Sequence, residues 1–318
     1  MNSSSRFRTI LPGLALLLLI AIAACAGPSP AGQATPSGPA SLGPGEKLRV
    51  VATTNLVGDI VGRIGGDRID LTTLMAKGAD PHSYVPTPSD TAAVHDAHLL
   101  FANGAGLEAF LAEMLANAGG SAVQVSLSDG LALRPLSDQH QGEEGDDPHV
   151  WFDVHNVVRW VAAVEQSLTT LDPANAAAYH ANAEAYTREL EALDAWIVQE
   201  VAAIPEASRK LVINHPVLGY FAARYGFQQV GAVYPLNPSA EPSAQDLAAL
   251  EELVGRLGVP AVFAENTVSA KLAEQVSRDT GVRLVLLYTD SLGGPGAGAE
   301  TYLDLMRYDV QALVEALR

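Results

Sequence analysis

The sequence predicts an α/β protein of two lobes, each a mostly parallel sheet flanked by helices, joined by one long backbone helix. Three observations carry that reading. Short apolar runs alternate with helix-length amphipathic stretches from Lys47 onward, the alternation fails once in the middle, and it then resumes after Pro205. A body of about 270 residues is also long for one ordinary core.

In the first half, residues 48–54 read as a strand, and Asn55 reads as the N-cap of a helix through Gly65. Strands follow at Ile69–Ala76, Leu99–Ala102 and Val123–Leu127, with helices from Ser89 or Asp90 and over Leu107–Ala118. The Gly, Pro, Ser and Thr content of residues 77–90 requires a loop. Between Gly130 and Asp147 neither period persists, and the acidic stretch 137–147 reads as a mobile surface loop. Two helices come next, Val154–Leu171 and a run of about 30 residues from Asp172-Pro173 to Ile204, roughly 45 Å long. Strands at Lys210–Ile213, Gln229–Val233, Ala261–Ala264 and Leu284–Leu287 then alternate with helices at Val217–Tyr225, Ala244–Leu257, Ala270–Thr280 and from Glu300. The expected organisation is a first lobe over 47–171, a linking helix over 172–205 and a second lobe over 206–318.

The first 46 residues belong to no lobe. Arg6 and Arg8 precede an apolar run, Leu14–Ala24, that is short for a membrane span, so residues 1–24 read as an export signal. The run ends in Ile22-Ala23-Ala24-Cys25, which resembles the lipobox of bacterial lipoproteins, in which the cysteine after the cleavage site carries the lipid. Cys25 is the sole cysteine, so neither a disulfide nor a thiolate metal site is available. Residues 26–46 are nearly all small or polar and read as a tether, with an end-to-end distance of roughly 25 Å. The expected location is therefore extracytoplasmic, with the folded body lipid-anchored to the membrane. Loss of residues 1–24 leaves 17 basic against 36 acidic side chains, a formal charge of −19, which argues against nucleic-acid binding.

The sequence Asp-Pro-His occurs twice, at residues 80–82 and 147–149, and His215-Pro216 and Asp290 also follow apolar runs. His82, His149, His215 and Asp290 would give a divalent cation three imidazole nitrogens and a carboxylate. Zinc accepts that set in tetrahedral geometry, and a bidentate Asp290 would accommodate manganese. Because the four are spread along the whole chain, only a folded scaffold can assemble them, beyond the carboxyl ends of strands where α/β sheets gather ligands. Asp80, Asp147, Asn214 and Glu265 are candidates to support the ligands from behind. His95, His98 and His180 fall in helical stretches and read as surface or packing residues. His155 and His140 lack the ligands' context, although His140 has acidic neighbours.

Residues 78–90, 147–153, 215–221 and 288–293 resemble the metal-binding receptor proteins of ABC-type zinc and manganese importers, the TroA-like periplasmic family, over roughly Lys47–Arg318. The resemblance implies metal held between two lobes by His82, His149, His215 and Asp290, and delivery to a membrane permease and its ATPase by a monomeric receptor. Two departures stand out. His155 replaces a common proline, and the His-rich acidic loop of many zinc receptors is reduced to His140 and a few acids. Manganese receptors of the family often carry Glu at the position of His215, so histidine there favours zinc. Competing readings are a manganese receptor, a zinc hydrolase with Glu265 as base, and an adhesin or structural lipoprotein in which metal only stabilises the fold. The sequence reading further expects a rigid joining helix, release by local loop rearrangement, and affinity falling below about pH 6.5 as imidazoles protonate.

Overall fold

The computed structural model describes residues 42–43, 45–136, 145–233 and 243–318. The export signal, Cys25, nearly all of the tether, and His140 with Glu143 and Glu144 lie outside the described residues. No helix among the described residues is long and apolar enough to cross a membrane.

Two four-stranded parallel sheets form the frame. The first contains β1 (Leu48–Ala52), β2 (Ile69–Thr73), β3 (Leu99–Ala102) and β4 (Val123–Ser126) in the order β2-β1-β3-β4. The second contains β5 (Lys210–Ile213), β6 (Gln228–Ala232), β7 (Ala261–Glu265) and β8 (Arg283–Leu287) in the order β6-β5-β7-β8. Central strands of a helix-covered parallel sheet are apolar on both faces, and every residue of β3 and of β7 is buried. The outer strands β4 and β8 alternate less strictly and expose more of their length.

Helices α1 (Asn55–Gly65), α2 (Pro88–Asp96) and α3 (Leu111–Ala118) accompany the first sheet. Next come α4 (Val154–Leu171) and α5 (Ala176–Val201), followed by α6 (Gly219–Tyr225), α7 (Ala244–Leu257), α8 (Lys271–Thr280) and α9 (Tyr302–Leu317). Two caps differ from expectation. Thr54, not Asn55, caps α1 by accepting from the Val57 N–H, and Thr87 caps α2 in a reciprocal capping box with Asp90. Both segments hold several candidate caps close together, and the threonine that precedes the expected cap is the one in extended backbone. His98 lies beyond the end of α2 rather than within a helix, and its Nδ1 accepts the Arg49 backbone N–H.

The joining helix begins as a 3₁₀ turn at Pro173–Asn175, which leaves α5 with 26 residues, a length of about 39 Å. Its buried stripe, Tyr179, Ala183, Tyr186, Leu190, Leu193, Ile197 and Val201, recurs at helical spacing and packs against α1, α4 and α9. One apolar cluster consequently runs unbroken from β1 and β3 through α4 and α5 to β5, β7 and α9, with Trp160, Tyr179, Phe263 and Tyr302 fully buried in it. Smaller clusters fill the far faces of the two sheets. In each sheet the chain order reverses next to the first strand, between β1 and β3 and between β5 and β7. That reversal opens a crevice at the strand ends.

Candidate metal centre

Four chain segments end at this crevice. His82 sits on the loop from β2 to α2, and His149 immediately precedes a 3₁₀ turn at Val150–Phe152 that leads into α4. His215 lies two residues past β5, and Asp290 three residues past β8. One ligand atom from each falls within 4.8 Å of all the others.

The spacing is that of a coordination shell. His82 Nε2 is 3.3 Å from His149 Nε2, and Asp290 Oδ2 is 3.7 Å from His82 Nε2 and 3.4 Å from His215 Nε2. Asp290 Oδ1 is 3.6 Å from His149 Nε2. A tetrahedral ion with bonds of about 2.0 to 2.1 Å places its ligand atoms roughly 3.3 to 3.4 Å apart. Burial supports the same reading. Both Asp290 oxygens and His215 Nε2 are buried with no hydrogen-bond partner, a costly condition that a cation at the centre would relieve. Both carboxylate oxygens turn toward imidazoles, so the site also permits bidentate coordination.

Carboxylates set the imidazole tautomers. Asp147 Oδ1 lies 2.7 Å from His149 Nδ1 and also accepts the His149 backbone N–H at 3.0 Å. Glu265 Oε1 does the same for His215, at 2.8 Å from Nδ1 and 2.8 Å from the backbone N. A carboxylate only accepts, so Nδ1 carries a proton in both, and in the neutral form of each ring Nε2 directs its lone pair to the centre. Glu265 is held in turn by the Thr289 hydroxyl at 2.6 Å. Asp80 acts differently. It accepts the His82 backbone N–H and the Ser83 hydroxyl, shaping the loop rather than the imidazole. Asn214 does not take the supporting role the sequence suggests: its side-chain amide has no hydrogen-bond partner, and only its backbone N–H is used, toward Phe263 O.

The environment drives protonation unevenly. Burial, reinforced by the His149 and His215 rings, pulls His82 down to about 2. Burial would lower His215 too, but the carboxylates of Glu265 and Asp290 outweigh it and push the imidazole up to about 9. Burial raises Asp290 to about 6 against the opposing pull of His215 and His149.

Several contributing residues went unmarked in the sequence. The Trp151 indole N–H donates to Thr289 O at 3.1 Å, the Tyr302 hydroxyl donates to Trp151 O at 2.7 Å, and the Asn103 amide donates to Pro148 O at 3.0 Å. Thr289 and Ser291 flank Asp290, and this polar run straight after an apolar strand was the available signal. The other described histidines stand apart. His155 neighbours Arg224 and Asp194, His180 meets Glu165, and His95 faces Ala118 O.

Two α/β sheets with a buried three-imidazole, one-carboxylate cluster at their shared rim define a metal-binding protein of the bilobal receptor class. Residues 50–316 match the family described as zinc-uptake complex component A, periplasmic (ZnuA), and the chain belongs to that family. Among its relatives, the manganese-binding lipoprotein MntA of Halalkalibacterium halodurans is 38% identical over 274 residues, 86% of this chain and 89% of that protein. Among solved structures, the periplasmic zinc binding protein TroA of Treponema pallidum superposes with a TM-score of 0.78 at 30% identity, covering 86% of this chain and 99% of TroA. A Mn-bound periplasmic metal binding protein from Candidatus Liberibacter asiaticus gives 0.77 at 27% identity, covering 86% and 100%.

Proposed function

We propose that this protein is the solute-binding receptor of an ABC-type metal importer, capturing zinc outside the cytoplasm through His82, His149, His215 and Asp290. It acts as a monomer tethered by lipid on Cys25 and delivers the ion to a membrane permease driven by its ATPase. The observation that carries this reading is the buried cluster itself, three imidazole nitrogens and a carboxylate at the separations of a tetrahedral shell. The third imidazole, His215, selects zinc as the cargo, since raw affinity for nitrogen-rich sites favours zinc over manganese.

The same centre does not suit hydrolysis. A catalytic zinc needs an exchangeable water and a base beside it, whereas here four protein ligands fill the shell and Glu265 is occupied by His215 and Thr289. Manganese remains the second reading, favoured by the two inward-facing oxygens of Asp290.

Competition calorimetry of zinc against manganese, on wild type and His215→Ala, decides between them. Tight zinc binding that displaces manganese and is lost in the variant supports the zinc receptor. Preference for manganese reassigns the cargo, and tight binding of neither overturns the reading.

A further inference from the structure

Three of the four ligand side chains are fully buried, and His82 alone retains 11% exposure of its side chain. It also lies on an irregular segment at the rim, between Thr73 and Pro88. Any route out for the ion therefore passes through movement of this loop. The Asp80 contacts to His82 and Ser83 are internal to the loop and would travel with it. At its far end the Tyr84 hydroxyl returns to Leu74 O within the loop and to Asp90 in the first turn of α2, both on the same side of the site. What fastens the loop to the other half of the site is a short list of bonds at its near end.

Gly78 is the centre of that list. Its N–H donates to Ser291 Oγ at 2.6 Å, across 213 residues of sequence. Its φ of +86° lies in the left-handed region that glycine adopts without strain. The same Ser291 oxygen accepts from Asn55 Nδ2 at 2.7 Å, and Asn55 Oδ1 accepts the Leu292 N–H at 2.8 Å. Asn55 Nδ2 also reaches Ala76 O at 3.1 Å, and Lys77 Nζ reaches Glu300 O at 2.6 Å. Ser291 is completely buried and directly follows Asp290. One hydroxyl thus connects the backbone four residues before His82 to the backbone next to Asp290, with Asn55 locking both from the first turn of α1.

We infer that Ser291 is a positioning residue, a latch that holds the His82 loop against the Asp290 loop and thereby sets how long the captured metal stays bound. The inference rests on the receptor reading above. Because Ser291 touches no ligand nitrogen, it acts on the geometry of closure and not on the donor set. Removing its oxygen takes an acceptor from the buried Asn55 amide and from the Gly78 N–H at once, which favours the open loop. Capture, which starts from the open loop, depends on it far less.

Stopped-flow transfer of zinc from the loaded full-length protein to a chelator, for wild type, Ser291→Ala and Ser291→Thr, provides the test. Ser291→Ala is expected to release zinc about tenfold faster, equivalent to about 1.4 kcal/mol, with the association rate within twofold of wild type. Ser291→Thr, which keeps the hydroxyl, restores slow release. Release within twofold of wild type in a folded Ser291→Ala protein overturns the latch. Should the alanine variant not fold, amide exchange of the wild type decides: the latch requires Gly78 and Leu292 N–H groups to be protected and to open together. Fast exchange at Gly78 in metal-loaded protein overturns it as well. Amide exchange of the metal-free wild type reads the latch separately from binding, so failure to bind zinc would defeat the receptor reading and leave the latch to be judged on its own.

Discussion

His82 and His215 direct the same ring nitrogen toward the same small volume, yet their surroundings drive protonation in opposite directions. Behind His215 stands Glu265, which with Asp290 outweighs the cost of burial and pushes that ring up to about 9. Around the His82 ring, which has the shared Asp290 carboxylate at 3.7 Å, burial and the two neighbouring imidazoles prevail, and it falls to about 2. The rim of the second sheet is therefore a proton-holding, rigidly backed half, and the His82 loop is a neutral half held by backbone contacts. A single carboxylate at the end of β7 separates the two behaviours.

The largest expected effect comes from pH. In the metal-free protein His215 is protonated at neutral pH, so a bound metal displaces that proton. Affinity should then rise by about tenfold per pH unit between roughly pH 6.5 and 8.5, measured by calorimetry in buffers of different ionisation enthalpy that also count the released proton. The loss on acidification thus begins well above the ordinary imidazole range, higher than the sequence alone suggests. Stability moves the other way. A group raised in the folded state stabilises fully below its unfolded value, 6.5 for histidine, and loses that contribution as pH climbs through about 9. The melting temperature of metal-free protein should accordingly fall across the window in which affinity rises. A flat affinity would break the contrast between the two halves.

Glu265→Gln should erase the contrast directly. It removes the charge behind His215 while retaining an amide oxygen for the ring, and a 10- to 100-fold loss of metal affinity is expected together with a flattened pH slope. Asp80→Asn, on the other half, should leave that slope intact.

A smaller effect is expected at Asp309, buried in α9, which accepts the Tyr288 N–H at 2.8 Å. Burial holds its carboxyl well above the usual carboxylate range, with the Tyr288 bond opposing. Its stabilising contribution is complete below the unfolded value and is lost as pH rises through the folded one. Asp309→Asn should therefore melt about 2 to 4 °C higher than wild type near pH 8, with the difference shrinking toward pH 5 in a thermal scan. A constant difference across that range would show that ionisation is not involved.

The smallest change is expected along the joining helix. Its buried stripe packs on α1, α4 and α9 within the continuous core, so hydrogen exchange over residues 173–204 should hardly differ between metal-free and metal-bound protein. A large change there would mean that the halves hinge as bodies, and that the His82 loop is not the moving part.

Chain order, the alternation of strand and helix, and the four residues that converge at the crevice were legible without coordinates, because each depends on local pattern: period, apolar runs, and proline beside histidine. Strand ends shifted by a few residues and two helix caps by one or two, since neighbouring Thr, Ser, Asp and Asn residues compete on nearly equal terms for the same cap. Glu265 was recognisable as a candidate because it ends an apolar strand. What Asn55, Thr289 and Ser291 do could not be read, since the partners described above lie 21 to 237 residues away. Asn214 stands beside His215 in sequence, yet its buried side-chain amide meets no hydrogen-bond partner, which only the tertiary structure decided. By itself the sequence determined which side chains can bind a cation. The tertiary structure alone decided which carboxylate backs which imidazole, and so where each proton is held, because burial and charge act through space over distances that sequence separation does not measure.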